Sequence, residues 1–162
     1  MAVKKMTSVV EYRLLVHHTY DQTVKRAGIL FLLETTKQFT NFAYTIDVQD
    51  RVEKNSLLWS LHGLRTPSMN MPSTGTAQFQ KVYFDLGRKI TFTLEKKGNL
   101  KVSIEIKFHK DSVTVSTFQK DFLKIYVDEQ EFEQRRLQDS IPPELKPDVH
   151  RKQTISQQQK KK

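Results

Sequence analysis

The sequence predicts a mainly β protein: an antiparallel β-sandwich of about eight or nine strands with one C-terminal helix, a closed β-barrel being the runner-up. Three observations lead there. Apolar and polar residues alternate at period two along most of the chain, most regularly over residues 77–118. Clusters of turn residues interrupt the alternation at intervals of roughly ten residues. Residues 27–35 break the rule by being apolar on both faces, with Ile29, Phe31 and Leu33 on one side and Leu30 and Leu32 on the other. A strand of that kind has to be covered on both sides, so a second layer is expected.

Taken in order, residues 9–17 read as a strand through Tyr12, Leu14 and Val16, a short helix being the alternative, and residues 19–26 as a polar loop. The doubly apolar strand follows. Residues 39–49 alternate, with Phe42, Tyr44, Ile46 and Val48 facing one way; residues 50–55 read as a charged turn. Leu57, Trp59 and Leu61 then point inward on a return strand. Residues 65–76 hold two prolines and a glycine and no periodicity, which marks a long loop. In the meander, Ile90, Phe92 and Leu94 must share a face with Val102, Ile104 and Ile106, since a one-residue slip would turn all of them to water. Pairing Lys96 with Leu100 achieves this and leaves Lys97, Gly98 and Asn99 as the loop, with Gly98 or Asn99 supplying its left-handed residue. The same logic places Leu86 opposite Ile90 before this hairpin and Phe108 opposite Val113 after it. The solvent face would then carry the cross-strand rows Lys81–Glu95–Lys101, Tyr83–Thr93–Ser103 and Asp85–Thr91–Glu105.

Residues 122–127 form one more expected strand. Asp128 followed by Glu131 resembles a capping box, and early glutamates with late arginines suit the helix dipole, so a helix is expected over residues 129–139. Pro142 and Pro143 end it. Residues 1–140 are thus read as the folded body, and residues 141–162, polar and of low complexity, as a disordered basic tail.

Composition narrows the functional classes. Cysteine is absent, which removes disulfides, thiolate metal sites and cysteine nucleophiles. The 162 residues carry 27 Lys and Arg against 18 Asp and Glu, a net charge of +9. The last twelve residues contribute five basic and no acidic side chains: Arg151, Lys152, Lys160, Lys161 and Lys162. Such a balance favours nucleic acid, anionic lipid or acidic proteins as a long-range bias. The start is read as lacking a signal peptide, and the longest apolar run, residues 29–33, is far too short to span a bilayer, so an intracellular, cytoplasmic protein without membrane insertion is expected.

No Walker loop, dinucleotide fingerprint, nucleophile elbow or zinc-binding helix motif occurs, and neither a catalytic residue, a metal site nor a cofactor is assigned. His17 and His18 are adjacent on a strand and so point to opposite faces. Asp47, Asp50 and Glu53 surround a turn without the spacing of a calcium loop and are read as a solvated cluster. Met69 and Met71 give the long loop two adaptable apolar side chains, and Phe79 and Tyr83 flank Lys81 on the expected solvent face; these four are the candidate ligand or partner contacts. The sequence therefore favours a non-enzymatic binding or assembly module that engages a protein partner or a second copy of itself. A nucleic-acid or polyanion binder acting through the basic tail is the first alternative, and an enzyme or small-ligand carrier with a cavity between the sheets is the second.

Overall fold

A computed structural model describes residues 9–67 and 72–140. Ten strands and one helix follow each other along the chain: β1 (Tyr12–Asp21), β2 (Arg26–Phe39), β3 (Thr45–Glu53), β4 (Ser56–Arg65), β5 (Gly75–Tyr83), β6 (Lys89–Lys96), β7 (Leu100–Phe108), β8 (Val113–Val115), β9 (Gln119–Lys120), β10 (Leu123–Tyr126) and α1 (Glu129–Ser140). The strands form one sheet in the order β8-β7-β6-β4-β3-β5-β2-β1-β10-β9. Between β3 and β5 the ladder thins to a single parallel pair, Thr45 with Gln78. This seam divides the sheet into two arms of five strands. The sheet curls strongly into a half-barrel, and the arms meet over a shared apolar interior. Phe31 of β2, on one arm, packs against Trp59 of β4 and Phe92 of β6, on the other, with ring centroids 5.9 and 5.7 Å apart.

The β content and the single helix agree with the sequence. The expected pair of separate sheets does not appear: one continuous ladder encloses the core. Alternation specifies which side of a strand is buried, and a curled sheet buries the same side chains as two stacked ones.

The registers of β6 with β7 and of β7 with β8 are those the sequence specifies, including Lys96 opposite Leu100 and Phe108 opposite Val113. Gly98 and Asn99 both take positive φ, 82° and 58°, in the connecting loop. On the solvent side Thr93 and Ser103 share a 2.8 Å hydrogen bond and Lys101 reaches Glu95 at 3.8 Å. The expected hairpin before β6 is absent. Strand β5 pairs antiparallel with β2, and the neighbour of β6 is β4, in parallel, with Leu57 beside Phe92 and Trp59 beside Leu94. Lys81, Tyr83 and Asp85 therefore leave the three solvent rows. Two further boundaries move. Residues 19–21 continue β1, and Asp50 to Glu53 belong to β3, so only residues 54–55 turn, with Asn55 at φ 64°.

Strand β2 is buried on both faces, as its composition requires. Ile29, Phe31 and Leu33 enter the core. Leu32 joins Leu15, Tyr126 and Phe132 in a second cluster on the outer face, where α1 docks. The covering layer is thus the helix, held by Phe132, which is fully buried, whereas Leu137 is 64% exposed. Asp128 caps α1 by accepting a 2.8 Å hydrogen bond from the Gln130 amide on its side chain. Gly28 permits the close approach of β2 to β5: a Cβ there would stand 2.8 Å from Val82 Cγ1 and 2.9 Å from the Tyr83 carbonyl oxygen. The two end strands of the sheet are short, three residues in β8 and two in β9. Among the described residues no helix is long and apolar enough to cross a membrane.

Candidate functional site

Polar side chains gather at two places, one on each face of the curled sheet. The inner group spans the seam. Asp50 of β3 shares the parity of Ile46 and Val48 and so faces inward, where it meets Lys81 and Tyr83 of β5. The Lys81 ammonium and the Tyr83 hydroxyl both donate to Asp50 Oδ2, at 2.7 and 2.8 Å. The Tyr83 oxygen in turn accepts from the Trp59 indole N–H at 2.8 Å. Burial alone would push the Asp50 carboxyl up, but the hydrogen bonds from Lys81 and Tyr83 and the lysine charge hold it below the usual carboxylate range. Burial raises the Tyr83 phenol well above its ordinary value; the Trp59 hydrogen bond opposes this, and the neighbouring Asp50 adds to it. At neutral pH Asp50 is therefore an anion and Tyr83 a neutral donor. The chain closes on itself, with each member's polar atom engaged, and forms a clasp across the weakest part of the ladder.

The outer group lies under α1. Glu34 of β2 is fully buried. Its Oε1 accepts from Arg13 Nε at 3.0 Å, and its Oε2 from Arg136 Nε at 3.0 Å, Thr76 Oγ1 at 3.1 Å and Gln78 Nε2 at 3.2 Å. Arg136 also pairs with Glu133 at 2.9 Å. A carboxylate taken this far from water requires several charge-assisted donors, and β1, β5 and α1 supply them.

Beside this network a cavity of about 440 Å³ opens to the surface, lined by Arg13, Thr36, Gln119, Lys124, Tyr126 and Arg135 together with Val9 and Val10. Lys124 and Tyr126 alternate outward on β10, opposite to Leu123 and Ile125 in the core. The Lys124 ammonium lies 5.2 Å over the Tyr126 ring and makes no ion pair among the described residues. Tyr126 is 2% exposed, and its hydroxyl has no hydrogen-bond partner among them. Among the described residues the wall thus presents three cationic side chains, one amide and two hydroxyls and no carboxylate, the chemistry of an anion receptor.

Of the candidate contacts read from the sequence, Phe79 and Tyr83 are not on a solvent face. Phe79 packs edge-on against Trp59 at 4.9 Å, and Tyr83 meets Phe31 at 5.5 Å. Phe79 and Tyr83 share one face of β5 with Lys81, whereas Val82 and Phe84, the latter just beyond the strand's end, take the opposite parity, so alternation alone could not choose between the faces. Met69, Met71 and the tail residues Arg151, Lys152, Lys160, Lys161 and Lys162 lie outside the described residues. The acidic cluster does not behave as one solvated turn: Asp47 pairs with Arg65, Asp50 with Lys81, and Glu53 with Arg51. His17 and His18 engage separate groups, His18 Nε2 lying 3.1 Å from the Ser112 carbonyl oxygen. No three His, Asp or Glu side chains among the described residues converge as metal ligands. The pocket beside Glu34 was not legible beforehand, because its cations come from β1, β10 and α1, which are more than a hundred residues apart at the extremes. The one local signal was Lys124 and Tyr126 sharing the outer face of a short strand. No family model matches the chain, and neither a curated protein nor a solved structure matches it.

Proposed function

We propose that this protein is a binding module whose ligand carries an anionic group, held in the pocket formed by Lys124, Arg135, Arg13 and Gln119 beside α1. The observation that carries the reading is the lining itself: Lys124, Arg135, Arg13 and neutral polar groups, with no carboxylate among the described lining residues. Arg13 is fixed by Glu34, so its guanidinium is pre-organised, and ordering it costs little on binding. Lys124 is the cation with charge to offer. A ligand oxygen reaching the Tyr126 hydroxyl would recover the roughly 1–3 kcal/mol that an unsatisfied buried polar group costs. Binding is favoured over catalysis because Asp50 and Tyr83, adjacent groups with displaced acidities on the inner face, are locked in opposite protonation states by their partners.

Titration of the full chain with inorganic phosphate, followed by nuclear magnetic resonance, tests the reading. Phosphate should shift resonances of Lys124 and its neighbours, and Lys124→Gln should weaken binding by roughly three- to tenfold. Lys54→Gln, on the exposed β3–β4 turn, should leave it unchanged. Equal losses in both variants would mean that the net charge, and no particular pocket, attracts the anion.

A further inference from the structure

The outer pocket has a neighbour. A second cavity of about 320 Å³ lies at the inner rim of the half-barrel and is lined chiefly by Tyr12, Phe39, Leu61 and Leu64, with Val9 and Val10. It shares Val9, Val10 and Thr36 with the cationic pocket. Tyr12 and Leu61 belong to the core face, whereas Lys124 and Tyr126 belong to the outer face. The two cavities therefore meet at the rim of the sheet, where residues 9–10 run past β2 and the Thr36 hydroxyl donates to the Val10 carbonyl at 3.0 Å.

Resting on the anion-binding reading above, we infer that the ligand is an anionic amphiphile: its acidic head sits against Lys124 and Arg135, and its hydrocarbon chain crosses the rim at Val9 and Val10 into the apolar cavity. Three features support this occupant. The head site is cationic, so the charge is complementary. The adjoining cavity is mainly aromatic and aliphatic, and its two charged neighbours, Glu11 and Lys37, come in opposite signs, so it offers a second anion no net attraction. The apolar surface along the route is already open to solvent, with Val9 78% and Leu64 43% exposed, and a hydrocarbon chain would cover it. A small inorganic anion would fill the first pocket and leave that surface wet.

The test compares acetate with decanoate, the latter below its micelle concentration, on the full chain by calorimetry. Burial of as few as two methylenes is worth roughly tenfold, so decanoate should bind at least about ten times more tightly than acetate. Lys124→Gln should weaken both ligands. Leu64→Ser, at a half-exposed position, should weaken decanoate by about fivefold or more and leave acetate unchanged. If that variant does not fold, Phe39→Leu makes the same comparison. Equal affinity for acetate and decanoate would sink the hydrocarbon arm and leave the anion pocket standing. Failure of both to bind would remove the two together. Decanoate binding that survives Lys124→Gln but falls with Leu64→Ser would show a purely apolar site and overturn the proposed orientation.

Discussion

The Asp50–Tyr83 contact links one carboxylate and one phenol to the stability of the whole seam. Because Asp50 is held below its ordinary acidity range, the folded chain binds its proton less readily than the unfolded chain does. Its contribution is present above the unfolded value near 4 and is lost as pH falls through the folded one. The Tyr83 phenol shifts the other way, so its contribution is present below about 10 and is lost as pH rises above that. The expected outcome is a urea midpoint that declines at both extremes. Asp50→Asn should flatten the acid limb specifically, whereas a distant carboxylate such as Asp111 should leave it unchanged. Tyr83→Phe removes the donor to Asp50 and the acceptor of the buried Trp59 N–H, and should cost about 1–3 kcal/mol at neutral pH. An ultraviolet titration of the tyrosines should lose its most alkaline component in that variant. None of this was legible from the residues alone. Asp50 sits in a charged stretch that reads as a turn, and its partner stands 33 residues away.

Helix α1 shows what sequence can and cannot specify about an element. Its position followed from Asp128 and the run of glutamates; Asp128 caps it through the Gln130 amide, and the reciprocal box expected with Glu131 is not formed among the described residues. Its docking depends on Glu34, which sits in an apolar strand where a lone carboxylate gives no sign of its partners. Two kinds of contact fasten the helix, and they predict different losses. Phe132→Ala empties a fully buried site beside Tyr126 and should cost about 3–5 kcal/mol. Glu34→Ala leaves two arginines without their shared anion and should cost a comparable ~3–5 kcal/mol. Leu137→Ala, mostly in solvent, should stay within about 0.5 kcal/mol. Equilibrium unfolding of the three variants checks the order. The strands divide along the same line. The register of β6 with β7 was readable because a three-residue loop with Gly98 and Asn99 leaves one pairing that buries Phe92 and Ile104. The partner of β5 was not, because residues 84–88 carry the chain from one arm to the other, and nothing in the alternation reveals which strand lies beside which.

For the molecule as a whole, the seam between β3 and β5 decides how the half-barrel opens. Each arm is held internally by long ladders: ten residue pairs join β1 to β2, and eight join β6 to β7. Across the seam there is one ladder pair and the side-chain clasp; elsewhere the arms meet through the packed core and through single polar contacts such as Lys120 Nζ to the Ser103 carbonyl at 3.2 Å and Lys96 to Glu11. A sandwich expectation hid this feature, since two separate sheets would have no ladder to thin. Local opening should follow the path that breaks the fewest hydrogen bonds, which means hinging the arms apart at β3 and β5 before either arm frays. Amide hydrogen exchange tests this directly. The amides of β3 and β5 that face the seam should exchange faster than those of β6 and β7 at the same depth, while amides of β3 that face β4 remain protected. Asp50→Asn should accelerate the seam amides further and leave the β6–β7 hairpin unchanged. The inner apolar cavity lies at the rim of the interior that this hinge exposes, bordered by Phe39 from one arm and by Leu61 and Leu64 from the other. A hydrocarbon chain seated there bridges the two arms and stabilises the closed form by mass action. Saturating decanoate should therefore slow exchange at the seam. Unchanged seam exchange in saturating decanoate would place the bound chain elsewhere, and uniform exchange across both arms would mean that the half-barrel opens as a single cooperative unit.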